Sequence, residues 1–377
     1  MKLVYLDNAA TTKMSKRVIE EMIESFENIY GNPSSTHTLG QKAKAVVENA
    51  RHIVAKNLKV EAKEIVFTSG GAEGNNLVIK GFLKQNKDKG KHIITTKIEH
   101  STVLKTFESL EKQGYDVTYI DVTKDGIIDV EKLKKAVRKD TALVSVMFVN
   151  NETGVIQPIK EIGEFLKEKE IFFHTDAVQA IGKFEIYPKE LRIDALTVSS
   201  HKFYGPKGTG FVFIDKKYNI EKEIFGGSQE RNRRAGTENV NGILGTGVAL
   251  EEVYENMEVI FEHEKKIQEY LEEKLKNEIG KIQKVEINGE NSRRVKNITN
   301  IFIENTDIQM LLVALDMRGI CVSGGSACMS GSLENSYVLE AMGLNDEKLK
   351  SSFRISIGKD TTIEEIDYFI ENLKEII

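Results

Sequence analysis

The chain has 377 residues, 40% of them hydrophobic and 29% charged, with a net charge of -5. That length makes one large domain or two ordinary ones around a sizeable core. The slight acidity offers no basic field for nucleic acid or an anionic membrane. Two cysteines, Cys321 and Cys328, form neither a disulfide framework nor a CxxC metal knuckle. No apolar run has the length of a membrane span, and Met1 to Asp7 is charged too soon for a signal peptide. The expectation is a cytoplasmic protein with reduced thiols.

Leu3 to Leu6 reads as a short strand that joins a small C-terminal domain or the cleft. Short β-branched runs then predict buried strands at 65–68, 92–95, 117–120, 142–147, 171–174 and 195–198. Amphipathic segments between most of them predict helices at 74–84, 102–113, 130–137 and 159–169. This alternation implies an α/β layered domain around a mainly parallel sheet. Such sheets bind ligands beyond the carboxyl ends of their strands, where Ser69-Gly70, Glu99-His100, Asn150-Asn151, Thr175-Asp176 and Ser199 to Lys202 fall. From Gly242 to about Glu278 one long helical connector is expected. A smaller α+β domain follows, with strands at 297–303 and 353–357 and helices at 308–317 and from Ile363 onward.

Chemistry concentrates at those strand ends. Lys202, leaving a strand between polar Ser199-Ser200-His201 and Phe203, is a better Schiff-base amine than Lys207, which sits in a solvent-facing Gly/Pro turn. Asp176 ends an apolar strand, where a lone carboxylate is costly to bury. A protonated pyridine nitrogen would compensate it, and pyridoxal phosphate requires such an amine and such a carboxylate. The plainer reading is an N-cap for a helix-like 177–181, with Gln179 one turn on. Thr68 to Asn76 reads as strand, glycine turn and helix start, a phosphate cradle or merely a tight strand end. His100 either stacks on a flat ring and shuttles protons or caps its helix. Asn151 offers an amide at a turn. Gly226 to Asn239 is a basic glycine loop, more simply read as solvated. Cys321 reads as a small buried hydrophobe. Cys328 lies in Ser323 to Ser332, where all but three residues are Gly or Ser, a flexible tether reaching about 12 Å over five residues.

Taken together with Tyr5 to Thr12, Gly31 to Ser35, Asn150 to Gly154, Arg234 to Thr237 and Arg354 to Ser356, these motifs resemble the cysteine desulfurases of the fold-type I, class V aminotransferase-like family. Ser323 to Cys328 is similar to the active-site loop of the group I branch, the nitrogen-fixation and iron–sulfur-assembly type. The resemblance covers essentially the whole chain. It implies a large pyridoxal-phosphate domain at 15–257 with a mainly parallel seven-stranded sheet. A small α+β domain made of 1–14 and 258–377 would carry the cysteine loop.

The resemblance also implies roles. Lys202 would bind the cofactor, Asp176 would pair with its ring nitrogen, Asn151 and Gln179 would contact ring substituents, and His100 would stack on the ring. Gly71, Ala72, Ser199 and His201 would hold the phosphate, joined by Thr237 from the partner subunit of a homodimer. Arg354, with Asn151, would bind the carboxylate of L-cysteine. Lys202 would move the Cα proton, His100 would serve the thiols, and Cys328 would receive the sulfur as a persulfide, leaving L-alanine. No resident metal is implied, Cys328 being at most a transient iron–sulfur ligand. The sulfur would pass to an acceptor protein, an iron–sulfur scaffold or a tRNA-thiolation enzyme. Ala72 and Met329 stand where this family usually has threonine, and the sequence ends without the tail that helps the housekeeping enzymes engage their scaffold. Selenocysteine lyase, another β-eliminating enzyme, an aminotransferase, and a non-catalytic platform are the rival readings.

Overall fold

Runs that alternate poorly and are apolar on both sides need cover on both faces, and seven of them pair into one sheet. The computed structural model describes residues 2–325 and 335–377; Cys328 and Met329 lie outside the described residues. In chain order come β1 (Val4–Tyr5), α1 (Lys16–Asn28), α2 (Thr38–Asn57), β2 (Ile65–Thr68), α3 (Gly71–Gln85), β3 (His92–Thr96), α4 (Ser101–Glu111) and β4 (Asp116–Ile120). Next are α5 (Val130–Ala136), β5 (Thr141–Ser145), α6 (Ile159–Glu168), β6 (Phe172–Asp176), β7 (Ala195–Ser199) and β8 (Gly210–Ile214). A helical turn α7 (Gln229–Asn232), α8 (Val240–Glu255) and α9 (Met257–Asn277) lead to β9 (Val285–Ile287), β10 (Ile298–Ile303), α10 (Ile308–Asp316) and β11 (Ile320–Cys321). The chain closes with α11 (Tyr337–Ala341), α12 (Asp346–Lys350), β12 (Ser352–Ser356) and α13 (Ile363–Ile376).

The main sheet has the order β2-β8-β7-β6-β5-β3-β4. Only β8 runs against its neighbours β2 and β7; the other pairings are parallel. One face of the sheet is covered by α3 and α4, whose Phe82 stacks on Phe172 of β6 with ring centroids 3.8 Å apart. The other face packs against α2, α6 and α8 through Val54, Ile162, Phe173 and Leu250. Each such fully buried side chain contributes about 1.5–3 kcal/mol, so the carboxyl ends of the strands are held on a rigid plate.

A second apolar cluster gathers Val4 and Leu6 with Ile267, Leu271, Ile301, Phe353 and Phe369. Its strands form the antiparallel order β12-β10-β9, with β1 pairing parallel to β11 alongside. The N-terminal strand thus joins the C-terminal sheet region rather than the cleft. The single connector expected from Gly242 to Glu278 is two helices, broken at Asn256, whose φ of -112° and ψ of 14° leave the helical region. The segment 177–181, expected to be helical, is a turn. Val178, β-branched and two residues past Asp176, donates its N–H to Asp176 Oδ1 at 3.0 Å, so the carboxylate closes a turn instead of starting a helix.

Candidate active site

The first turn of α3 begins three residues before the expected start, at Gly71. Gly70 before it has φ +142°, a conformation that side-chain-bearing residues avoid. Gly74 lets the helix press onto the sheet, since a Cβ there would meet Thr197 at 2.6 Å. The amides of Gly71 and Ala72 therefore sit in a first turn without intrahelical acceptors, directly over β7. Beside them Arg234 forks onto Glu73, Nε to Oε1 at 2.9 Å. Burial opposes the charge on Glu73, yet hydrogen bonds from Arg234 and Ser69 hold its carboxyl below the ordinary range.

The strand ends open into a cavity of about 540 Å³. Gly71, Ala72, His100, Asn151, Asp176, Gln179, Ser199, His201, Lys202 and Arg354 all line it. Lys202 Nζ donates to the carbonyls of Ala9 at 2.6 Å and Ala10 at 2.7 Å. Gln179 Nε2 donates to the same Ala9 carbonyl at 2.8 Å. His201 meets Thr11 Oγ1 at 3.1 Å, and burial, with Lys202 and Lys207 adding, pushes its imidazole down to about 4. Lys207 is exposed at the rim of the cavity.

Arg354 on β12 is 1% exposed. Its Nη2 donates to Asp7 Oδ1 and its Nη1 to the Asn151 carbonyl, both at 2.8 Å, while its buried Nε has no partner among the described residues. The Asn151 Oδ1 is likewise buried and has no partner among the described residues. Asn150 is the turn-builder of the pair, its Oδ1 accepting from Glu152 N and Thr153 N. Ser323 pairs with Arg354 through both backbone groups, so the start of the glycine-serine segment is bridged to β12 at the residue that carries this guanidinium. On its far side Tyr337 donates to the Glu99 carbonyl at 2.8 Å.

His100 caps its helix, as the plainer reading expects, and it also lines the cavity. Its Nδ1 accepts from Thr102 N at 3.2 Å. Thr237 is exposed and does not line this cavity in its own chain. The basic loop is pinned rather than merely solvated: Glu230, at φ 47°, forks onto buried Arg51 at 2.7 and 2.8 Å. Cys321 is half-buried, and burial, with Asp316 and Asp7, raises its thiol, which disfavours the thiolate. Sequence reasoning missed Asp7, Asn75, Thr102 and the Ala9 and Ala10 carbonyls. Only Asn75 carried a local signal, an amide inside the glycine-turn motif one helical turn after Gly71.

These features fit pyridoxal phosphate: a glycine-lined helix start for a phosphate, a lysine amine, a carboxylate braced from two sides, and two lining residues, Arg354 and Asn151, that each keep a buried polar atom without a partner among the described residues. The chain matches the aminotransferase class-V family over residues 4–369 and belongs to it. It is an enzyme of this pyridoxal-phosphate-dependent family. It is 48% identical over 378 residues to a protein of Clostridium botulinum (strain Hall) named cysteine desulfurase IscS, covering 100% of this chain and 94% of that one. Among solved structures, a NifS-like protein superposes with a TM-score of 0.93 at 38% identity, covering 100% of this chain and 99% of that one. SspA in complex with cysteine superposes with a TM-score of 0.84 at 34% identity, covering 95% of this chain and 100% of that one.

Proposed function

We propose that this chain is a cysteine desulfurase that takes sulfur from L-cysteine onto Cys328 and releases L-alanine. The observation that carries the reading is the backbone pairing of Ser323 with Arg354: in the sequence Cys328 follows five residues after a position tied to the arginine suited to clamp an amino-acid carboxylate. The full-length similarity to cysteine desulfurases supports it.

Pyridoxal phosphate, when bound, supplies an aldehyde for amines and an electron sink that weakens bonds around the substrate Cα. The Gly71 and Ala72 amides, Ser199 and His201 would hold its phosphate; Asp176 would retain the proton of its ring nitrogen; Lys202 would be its amine ligand. Asn151 and Gln179 would contact the ring substituents, and His100 would stack on the ring. Arg354 orients the substrate carboxylate through a planar fork. Lys202 Nζ then moves the Cα proton. The Cys328 thiolate attacks the substrate sulfur; an S–S bond forms and the Cβ–S bond breaks. The electron pair left on the carbon side is quenched by a proton, giving alanine.

We further infer a homodimer in which Thr237 reaches the partner's phosphate site; its exposure and the exposed face of α1 (Ile19, Ile23, Phe26) support this. We also propose a division into 15–257 against 1–14 plus 258–377, which the cluster built from Val4, Leu6 and C-terminal residues such as Ile301, Phe353 and Phe369 supports; Ala9, Ile260, Val295 and Ile298 pack across that boundary into the large-domain cluster. No helix among the described residues is long and apolar enough to cross a membrane, which supports a cytoplasmic enzyme. An iron–sulfur scaffold is the favoured acceptor, on the strength of the IscS and NifS relatives. Alanine release tests the reading. Cys328→Ala should keep its cofactor absorbance and lose turnover, and Lys202→Ala should lose turnover altogether. Full alanine release by Cys328→Ala would sink the persulfide route.

A further inference from the structure

Asn75 is wholly buried on α3. Its Nδ2 donates to Asp176 Oδ2 at 2.8 Å and to Thr102 Oγ1 at 2.9 Å. Thr102 Oγ1 in turn lies 2.9 Å from His100 Nδ1. One chain of hydrogen bonds thus joins the carboxylate on β6 to the imidazole at the start of α4. The direction of each bond follows from the groups. A carboxylate requires a donor, which fixes the amide with its nitrogen toward Asp176 and leaves Asn75 Oδ1 buried without a partner. The amide nitrogen can only donate, so Thr102 Oγ1 accepts from it and turns its own hydrogen to Nδ1. The backbone N–H of Thr102 also donates to Nδ1, at 3.2 Å. Two donors aimed at Nδ1 require its lone pair.

We propose that Asn75 and Thr102 are positioning residues that lock His100 as the neutral imidazole protonated at Nε2 and tie its orientation to Asp176. The ring then presents an N–H donor to the cavity. It becomes a base at Nε2 only by moving its proton to Nδ1 and giving up the cap of α4. Resting on the desulfurase reading, this leaves Lys202 as the base for the first proton transfer and assigns His100 to hydrogen-bond donation. Among the described residues, the charged groups around the ring's cavity are Asp176, Lys202, Arg354 and Glu73, with Lys207 at the rim. Glu99 lies behind it on the same connection, in a buried place where desolvation favours the protonated carboxyl.

The test is nitrogen-15 NMR of the histidine side chains in the cofactor-free protein, which is independent of turnover. Wild type should show His100 protonated at Nε2, with Nδ1 an acceptor. Its ring should stay uncharged through about pH 6.5, where a free imidazole half-titrates. Thr102→Val removes the hydroxyl but keeps the backbone cap, and should mix the tautomers and raise the titration midpoint. Loss of one neutral hydrogen bond should also weaken pyridoxal phosphate binding by about 2- to 13-fold. Thr102→Ser should restore both, and Asn75→Leu should act like Thr102→Val. A wild-type His100 protonated at Nδ1, or charged at neutral pH, overturns the proposal. So does Thr102→Val with an unchanged tautomer and unchanged cofactor affinity. Absence of alanine release in a protein with the expected NMR pattern would instead refute the desulfurase reading alone.

Discussion

Replacing Arg354 by lysine keeps the positive charge and removes the fork. In the fold the guanidinium spends Nη2 on Asp7 and Nη1 on the Asn151 carbonyl, each at 2.8 Å, and keeps a buried Nε without a partner. The edge formed by Nε and the second hydrogen of Nη2 can meet both oxygens of a carboxylate at once. A lysine ammonium is a point donor on a flexible stem. Serving Asp7 and the Asn151 carbonyl, it has at most one donor left for substrate. A hydrogen bond to a charged group is worth about 1.5–3 kcal/mol, so the loss of one such bond should raise KM for cysteine about 10- to 150-fold. Because the carboxylate is held in ground and transition states alike, kcat should change far less than KM. Alanine release measured against cysteine concentration reads both, and cofactor absorbance checks that the site is intact. A KM within about threefold of wild type, with the cofactor bound, would refute the clamp and leave Arg354 a purely structural partner of Asp7.

Three further outcomes are expected. Glu230→Ala removes the buried carboxylate that forks onto Arg51, leaves the guanidinium with Glu48 at 3.0 Å, and frees the Phe67 amide that donates to the same carboxylate at 2.9 Å. It should cost about 3–5 kcal/mol in urea unfolding, and the double variant with Arg51→Ala should fall well short of the sum of the singles. Burial pushes the Glu99 carboxyl up to about 8, from an ordinary 4.5. Between those values the folded chain holds a proton that the unfolded chain has lost. The associated stability is therefore complete below about 4.5 and is lost as pH rises toward 8. Glu99→Gln should raise Tm at about pH 8.5 and leave it little changed near pH 5; an equal effect at both would contradict the assignment. Ala72→Thr adds a hydroxyl beside the Gly71 amide and should slow pyridoxal phosphate loss roughly 10-fold. Equal or faster loss would reject a phosphate site at that helix start.

His174 works against Glu99. Burial pushes its imidazole down to about 3, where it bridges Ser145 and Thr197 as a neutral ring. The unfolded chain takes up a proton there as pH falls below about 6.5, so this contribution is lost on the acid side. Opposed slopes from two buried groups should leave a stability maximum between them.

The strand ends were legible in the sequence because their signals are local: a β-branched run, then a polar or glycine residue where the strand must stop. That was enough to bring Ser199, His201, Lys202, Asp176, Asn151, Gln179 and His100 to one edge before any coordinates. Two elements were not legible. The antiparallel β8 looks like any apolar run, and its direction is set by which neighbours it finds. The break at Asn256 interrupts a pattern that stays amphipathic on both sides. Cys328, the proposed sulfur acceptor, is identified by sequence alone.

What the tertiary structure added are partnerships between distant residues. Asp7 and Arg354, 347 residues apart, meet because β1 pairs with β11 and β12 lies beside it. Arg51 finds Glu230 through a left-handed turn. Asn75 reaches both Asp176 and Thr102 only when α3 presses onto the sheet. Local sequence determined where side chains leave the strands, since periodicity and turn chemistry act over a few residues. The fold decided which polar atoms are satisfied and which remain for a ligand, because a buried polar group must find its partner wherever the packed chain supplies one.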